Sequence, residues 1–189
     1  ISDVKTAFDE MQAKFVRDGL LHRGVSYVLI RAILRETLFL QANVHLGTHS
    51  TSAAIPLRVG GRQGGAGTPE QWNSLLSPIA DELEQKWRSE DLGIYLPKSE
   101  SDPEGTEDWA GLIIWADNIF TLSDTFEAAQ RQALDMERSF GERGLVFKPS
   151  SLEVVGNKFA HQLQKKHSKC EPLIKLADGN AFEVKQSTI

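Results

Sequence analysis

Asp117 and Asn118 stand at the bend between two apolar runs, Leu112–Trp115 and Ile119–Leu122, in the segment GLIIWADNIFTLS that covers residues 111–123. Runs rich in Ile, Leu and aromatic residues are strand-like, while Asp and Asn tolerate tight reversals, so Ala116, Asp117 and Asn118 are expected to turn a hairpin. A carboxylate at the edge of a buried hairpin costs solvation free energy unless a positive partner meets it. A divalent metal ion fits that need, because it takes hard oxygen ligands. The plainer reading of the same residues is a turn with no chemistry.

Gly60–Gly67, GGRQGGAG, is a second stretch with chemical potential, since a glycine-rich loop ahead of a helix exposes backbone N–H groups to phosphate. It is not a P-loop, for no Gly-Lys-Ser or Gly-Lys-Thr follows, and Gly65-Ala66-Gly67 lacks the third glycine of a dinucleotide fingerprint. On its own it reads equally as a loop. His161, His167 and Cys170 offer at most three zinc ligands at irregular spacing and read as solvated or packed side chains. His45 and His49 lack the glutamate of a zinc-protease helix, and the glycine between them favours strand and loop.

Four boxes in order give the chain a family likeness. Asp3-Val4-Lys5-Thr6-Ala7-Phe8-Asp9, then Gly60-Gly61-Arg62-Gln63-Gly64-Gly65-Ala66-Gly67-Thr68-Pro69, then Trp115-Ala116-Asp117-Asn118, then Gly144-Leu145-Val146-Phe147-Lys148-Pro149-Ser150 resemble successive palm motifs of reverse transcriptases. The likeness covers residues 1–156 and is nearest to the non-LTR (LINE-type) retrotransposon enzymes, judged by Ala-Phe-Asp and Arg-Gln-Gly. It implies an α+β polymerase palm, an antiparallel sheet with a catalytic hairpin backed by helices, and residues 157–189 leading toward a thumb. It further implies an RNA-directed DNA polymerase that extends a DNA primer on an RNA template with dNTP and two Mg2+ ions, manganese being the alternative. Such chemistry uses ions about 4 Å apart, one activating the attacking hydroxyl and one steadying the leaving phosphates.

The same likeness distributes roles. Asp3, Asp117 and Asn118 would be the catalytic set, with the Val4 carbonyl joining them as metal ligands; Phe8 would gate the ribose 2'-hydroxyl, and Arg62, Gln63 and Gly64 would touch nucleotide and template. Asn118 stands where the family usually has a second acid, which implies weaker metal binding through loss of a charge. The fourth box reads Lys148-Pro149-Ser150-Ser151, without the lysine that usually follows the serine. These departures keep a second reading open, a decayed or repurposed palm that folds or binds nucleic acid without catalysis.

The elements that would position these residues follow from periodicity. Val4, Phe8, Met11 and Phe15 predict a helix directly after Asp3, ended by Gly19; Ser26 predicts the cap of a second helix through Leu40. Asn43–Leu46 and Ala54–Val59 read as strands beside the first acid. Thr68, Pro69 and Gln71 signal a capped helix whose stripe is Trp72, Leu75, Leu76, Ile79, Leu83 and Trp87. Residues 91–108 form an acidic loop, with a short strand at Leu92–Leu96. Asp124 is expected to open a helix buried through Phe126, Ala129, Ala133, Met136 and Phe140. Leu145–Phe147 and Leu152–Val155 read as strands, and Pro172–Leu176 with Phe182–Lys185 as a hairpin.

The bulk composition suits one domain, with 189 residues and 40% hydrophobic content. The opening at Ile1, two residues before Asp3, predicts a fragment without fingers or thumb. No run of about 18 apolar residues and no basic, apolar leader predicts a membrane span or signal peptide, so a soluble intracellular protein is expected. One cysteine cannot form an internal disulfide, which fits a reducing compartment. A net charge of -5 disfavours a nucleic-acid partner at first sight, yet residues 63–110 hold 11 acidic against 3 basic side chains, so the acid is concentrated in one block.

Overall fold

The computed structural model describes residues 2–4, 7–38, 40–47, 50–56, 59–61, 65–96, 108–148, 152–157, 173–177 and 179–186. In chain order the elements are β1 (Ser2–Asp3), α1 (Ala13–His22), α2 (Tyr27–Thr37), β2 (Gln41–Ala42), β3 (His45–Leu46), β4 (Ser50–Thr51), β5 (Ile55–Pro56) and α3 (Thr68–Ser89). They continue with β6 (Ile94–Leu96), β7 (Asp108–Ala110), β8 (Leu112–Trp115), β9 (Asn118–Thr121), α4 (Phe126–Gly141), β10 (Val154–Gly156), β11 (Leu173–Lys175) and β12 (Ala181–Gln186). The class is α+β, with small and mostly antiparallel sheets. Among the described residues no helix is long and apolar enough to cross a membrane.

The chain packs as two units, residues 6–79 and residues 1–5 with 80–189. In the first, α1 starts at Ala13 and not directly after Asp3, because residues 7–10 are taken up by a turn and a bend. Gly19 lies inside α1 and does not end it. A Cβ at position 19 would overlap the Ser74 carbonyl of α3, so glycine serves close approach there. Pro78, inside α3, has no N–H to give the Ser74 carbonyl one turn back, the same carbonyl that a Cβ at position 19 would meet.

Ser26 caps α2 as expected, its Oγ accepting from the Leu29 N–H at 3.5 Å, but the helix stops at Thr37. Met11, Val16, Leu20, Ile30, Leu34, Trp72, Leu75, Leu76 and Ile79 are buried and form this unit's core. The expected strands around residues 43–59 shrink to two short antiparallel pairs, β2 with β5 and β3 with β4. Among the described residues neither pair is hydrogen-bonded into the sheet of β1, whose partner is β9. Strands of two residues carry too little alternation to be read from pattern. His45 lies on β3 with its Nδ1 3.0 Å from Thr51 Oγ1, while His49 falls outside the described residues.

In the second unit one sheet runs in the order β1–β9–β8 and another in the order β10–β12–β11. β11 and β12 form the expected antiparallel hairpin, and β10 joins β12 in parallel. Of the strand expected at Leu145–Phe147, the described residues form only an isolated bridge between Phe147 and Val4. The acidic segment 97–107, His161, His167 and Cys170 lie outside the described residues.

α4 is capped by Thr125 and not Asp124, the Thr125 Oγ1 accepting from the Ala128 N–H at 3.1 Å. Its buried face is also turned from the expected one: Ala128, Gln132, Asp135 and Ser139 join Met136 and Phe140. Asp135 accepts from Lys86 Nζ at 2.6 Å and from Trp87 Nε1 at 3.1 Å, which ties α4 to the last turns of α3. On the outer side Gln130 gives and takes a hydrogen bond with the Lys175 backbone, at 2.5 and 2.7 Å, as a neighbouring strand would. Glu137 accepts from the Ala177 N–H at 2.6 Å just beyond.

Candidate functional site

The β8–β9 hairpin closes more tightly than the sequence suggests. Trp115 pairs directly with Asn118, so the turn consists of Ala116 and Asp117 alone and Asn118 opens the second strand. Ala116 has φ 55°, and Asp117 is not among the positive-φ residues; this is the form of a type II′ turn, whose first central place usually belongs to glycine. The cost of left-handed backbone at a residue with a Cβ is about 1–3 kcal/mol. Strain of that kind gathers at sites where geometry is imposed from outside.

β9 is the central strand of its sheet, which gives Asn118 two cross-strand neighbours. Trp115 lies opposite on β8 and Asp3 lies opposite on β1. Antiparallel pairing sets facing Cα atoms about 4.5–5.5 Å apart, so residues 3 and 118, separated by most of the sequence, become near neighbours in backbone position. Val4 follows at once, buried at 2% exposure and bridged to Phe147. The Asp3 side chain is outside the described atoms.

Register also sorts the hairpin faces. Leu112, Ile114, Ile119 and Thr121 share one face, on which Ile119 is 1% exposed; Ile113, Trp115, Asn118 and Phe120 share the other, on which Trp115 is 76% exposed. Asn118 is therefore on the hairpin's open face, at the turn end. Both Asp117 and Asn118 are half-buried, and among the described residues neither side chain has a hydrogen-bond or ion-pair partner.

The donor set here is oxygen only: the Asp117 carboxylate, the Asn118 amide oxygen and the Val4 carbonyl, with Asp3 next to them in register. That chemistry suits a hard divalent cation such as magnesium better than zinc or copper. Among the described residues no three His, Cys, Asp or Glu side chains converge.

Phe8 is placed in the other unit, in a turn and not on a helical stripe, with its ring edge-on to Trp72 at 6.0 Å between centroids. The Gly61 N–H donates to the Phe8 carbonyl at 2.7 Å and the Gly60 N–H to the Met11 carbonyl at 2.9 Å. Phe8 and the head of the glycine-rich box are thus held together. Gly60 has φ 91°, and a Cβ there would come within 2.9 Å of the Asp9 carbonyl, so the box opens with a residue that must be glycine. Arg62, Gln63 and Gly64 lie outside the described residues. Gln71 does not complete a capping box, since among the described residues its buried Oε1 accepts no hydrogen bond.

Gln132 and Asp135 are the residues that pattern reading missed. Both are polar members of a buried face, and a search for apolar periodicity counts them against burial. Their spacing of three, in phase with Ala128, Met136 and Ser139, was the available signal. No family model matches the chain, and no curated protein matches it.

Proposed function

We propose that this chain is the palm portion of an RNA-directed DNA polymerase of the LINE-type retrotransposon class. The observation that carries the reading is the β1–β9–β8 order, with Asp3 opposite Asn118 and Asp117 at the adjoining turn. A polymerase palm needs acids remote in sequence brought together on one sheet, and the reading is supported by a register that sets Asp3 opposite Asn118, the residue directly after Asp117. A bound pair of magnesium ions would lower the pKa of a primer 3'-hydroxyl and steady the leaving pyrophosphate.

On this reading the chain's own residues hold and orient. Asp117 and Asp3 supply the negative charge, and Asn118 and the Val4 carbonyl add neutral oxygens. The family likeness would further give Phe8 a role at the sugar of an incoming dNTP, and Arg62, Gln63 and Gly64 a role at nucleotide and template. Fingers and thumb supply most of the grip on RNA template and DNA primer.

Asn118 and the absent fourth-box lysine favour a second reading, a palm that folds and binds nucleic acid without catalysis. Primer extension on an RNA template, in a chain supplied with fingers and thumb and titrated with magnesium, separates the two. Asp117→Asn is expected to abolish extension, and Asn118→Asp to raise magnesium affinity, a gain limited by repulsion between adjacent carboxylates before metal binds. Synthesis that survives Asp117→Asn overturns the assignment of the hairpin. A folded parent and Asn118→Asp that both fail to extend establish the second reading.

A further inference from the structure

Gln132 is 0% exposed, an unusual place for an amide, and its Nε2 donates to two backbone carbonyls. One is Leu122 O, at 2.9 Å, the residue that follows β9; the other is Leu92 O, in the connection between α3 and β6. Leu122 in turn gives its N–H to Gly111 O at 3.0 Å, which closes the open end of the β8–β9 hairpin. One side-chain nitrogen therefore grips the hairpin at its root. Among the described residues the buried Gln132 Oε1 meets no partner, so the residue carries a desolvation cost that an apolar side chain would not.

Asp135, one turn further along α4, accepts from Trp87 Nε1 and Lys86 Nζ and so fixes the helix that carries Gln132. Toward the tip, the described pairs with β1 are Ser2 with Ile119 and Asp3 with Asn118. Four residues at about 3.4 Å each separate Leu122 from Asn118, so a small tilt at the root is carried along a lever of about 14 Å. We infer that Gln132 is a positioning residue that sets where Asp117 and Asn118 are presented; its functional meaning rests on the polymerase reading of that hairpin.

The test uses the 189-residue chain with Gln132→Met, which keeps length and removes both donors, and Gln132→His, which keeps one ring N–H. Amide hydrogen exchange is followed residue by residue, together with a titration by magnesium alone read at the Asp117 and Asn118 amide resonances. The expected result for Gln132→Met is exchange about tenfold faster in β8 and β9, with α3 and α4 unchanged and a higher magnesium midpoint. Gln132→His should fall between Met and parent, and it provides the same comparison if the Met chain does not fold. Acceleration spread evenly over α3, α4 and the hairpin makes Gln132 an ordinary core contact and overturns the inference. Unchanged hairpin exchange also overturns it. Magnesium shifts absent from the parent count against the polymerase reading instead, while the exchange pattern still decides the positioning role.

Discussion

Ala116 holds a left-handed backbone at the turn that presents Asp117, so its side chain is at the limit of what the position accepts. A β-branched residue there should cost about 1–3 kcal/mol, whereas glycine should be close to neutral because relief of strain is offset by a more flexible unfolded chain. Denaturant unfolding of Ala116→Val and Ala116→Gly checks this. Equal stability of the two variants would remove strain from the description of the turn. The acid itself was legible in the sequence, for Asp between apolar runs announces a bend. The exact turn was not, since a three-residue Ala116–Asn118 reversal and a two-residue Ala116–Asp117 turn have the same composition, and only the pairing of Trp115 with Asn118 separates them.

At the scale of elements, α3 was the most legible because its stripe is long and apolar: Trp72, Leu75, Leu76, Ile79, Leu83 and Trp87 are all at most 2% exposed. α1 differs from its expected span because Gly19 is not a stop but a contact surface for α3. Gly19→Ala should therefore destabilise the fold by well over the cost of ordinary overpacking, which is about 1–3 kcal/mol, since backbone and not a flexible side chain lies in the way. Alanine is the better helix former, so propensity alone predicts the opposite sign. Thermal unfolding decides between them, and a raised melting temperature would refute the close approach. The buried face of α4 was illegible for a related reason: Gln132 and Asp135 are buried by specific partners, which a hydrophobic pattern does not register.

For the molecule as a whole, charge sets the expectation for nucleic acid. With net charge -5 and the acid concentrated in residues 63–110, the chain alone should bind a primer–template duplex no more tightly than the nonspecific range of about 10⁻⁴–10⁻⁶ M at physiological salt. Fluorescence anisotropy across a salt series measures it, and tight, salt-independent binding would contradict the assignment of grip to fingers and thumb. The α+β class was readable from the alternation of helical and strand-like stretches, but the parallel addition of β10 to β12 was not, because it joins segments remote in sequence. Among the described residues that sheet ends at β11, and the Gln130 amide and Glu137 carboxylate occupy backbone groups along and just beyond this strand. A bare edge of this kind invites the same strand of another molecule, so α4 also acts as a guard against edge-to-edge aggregation, and the helix that carries Gln132 helps keep the protein dispersed.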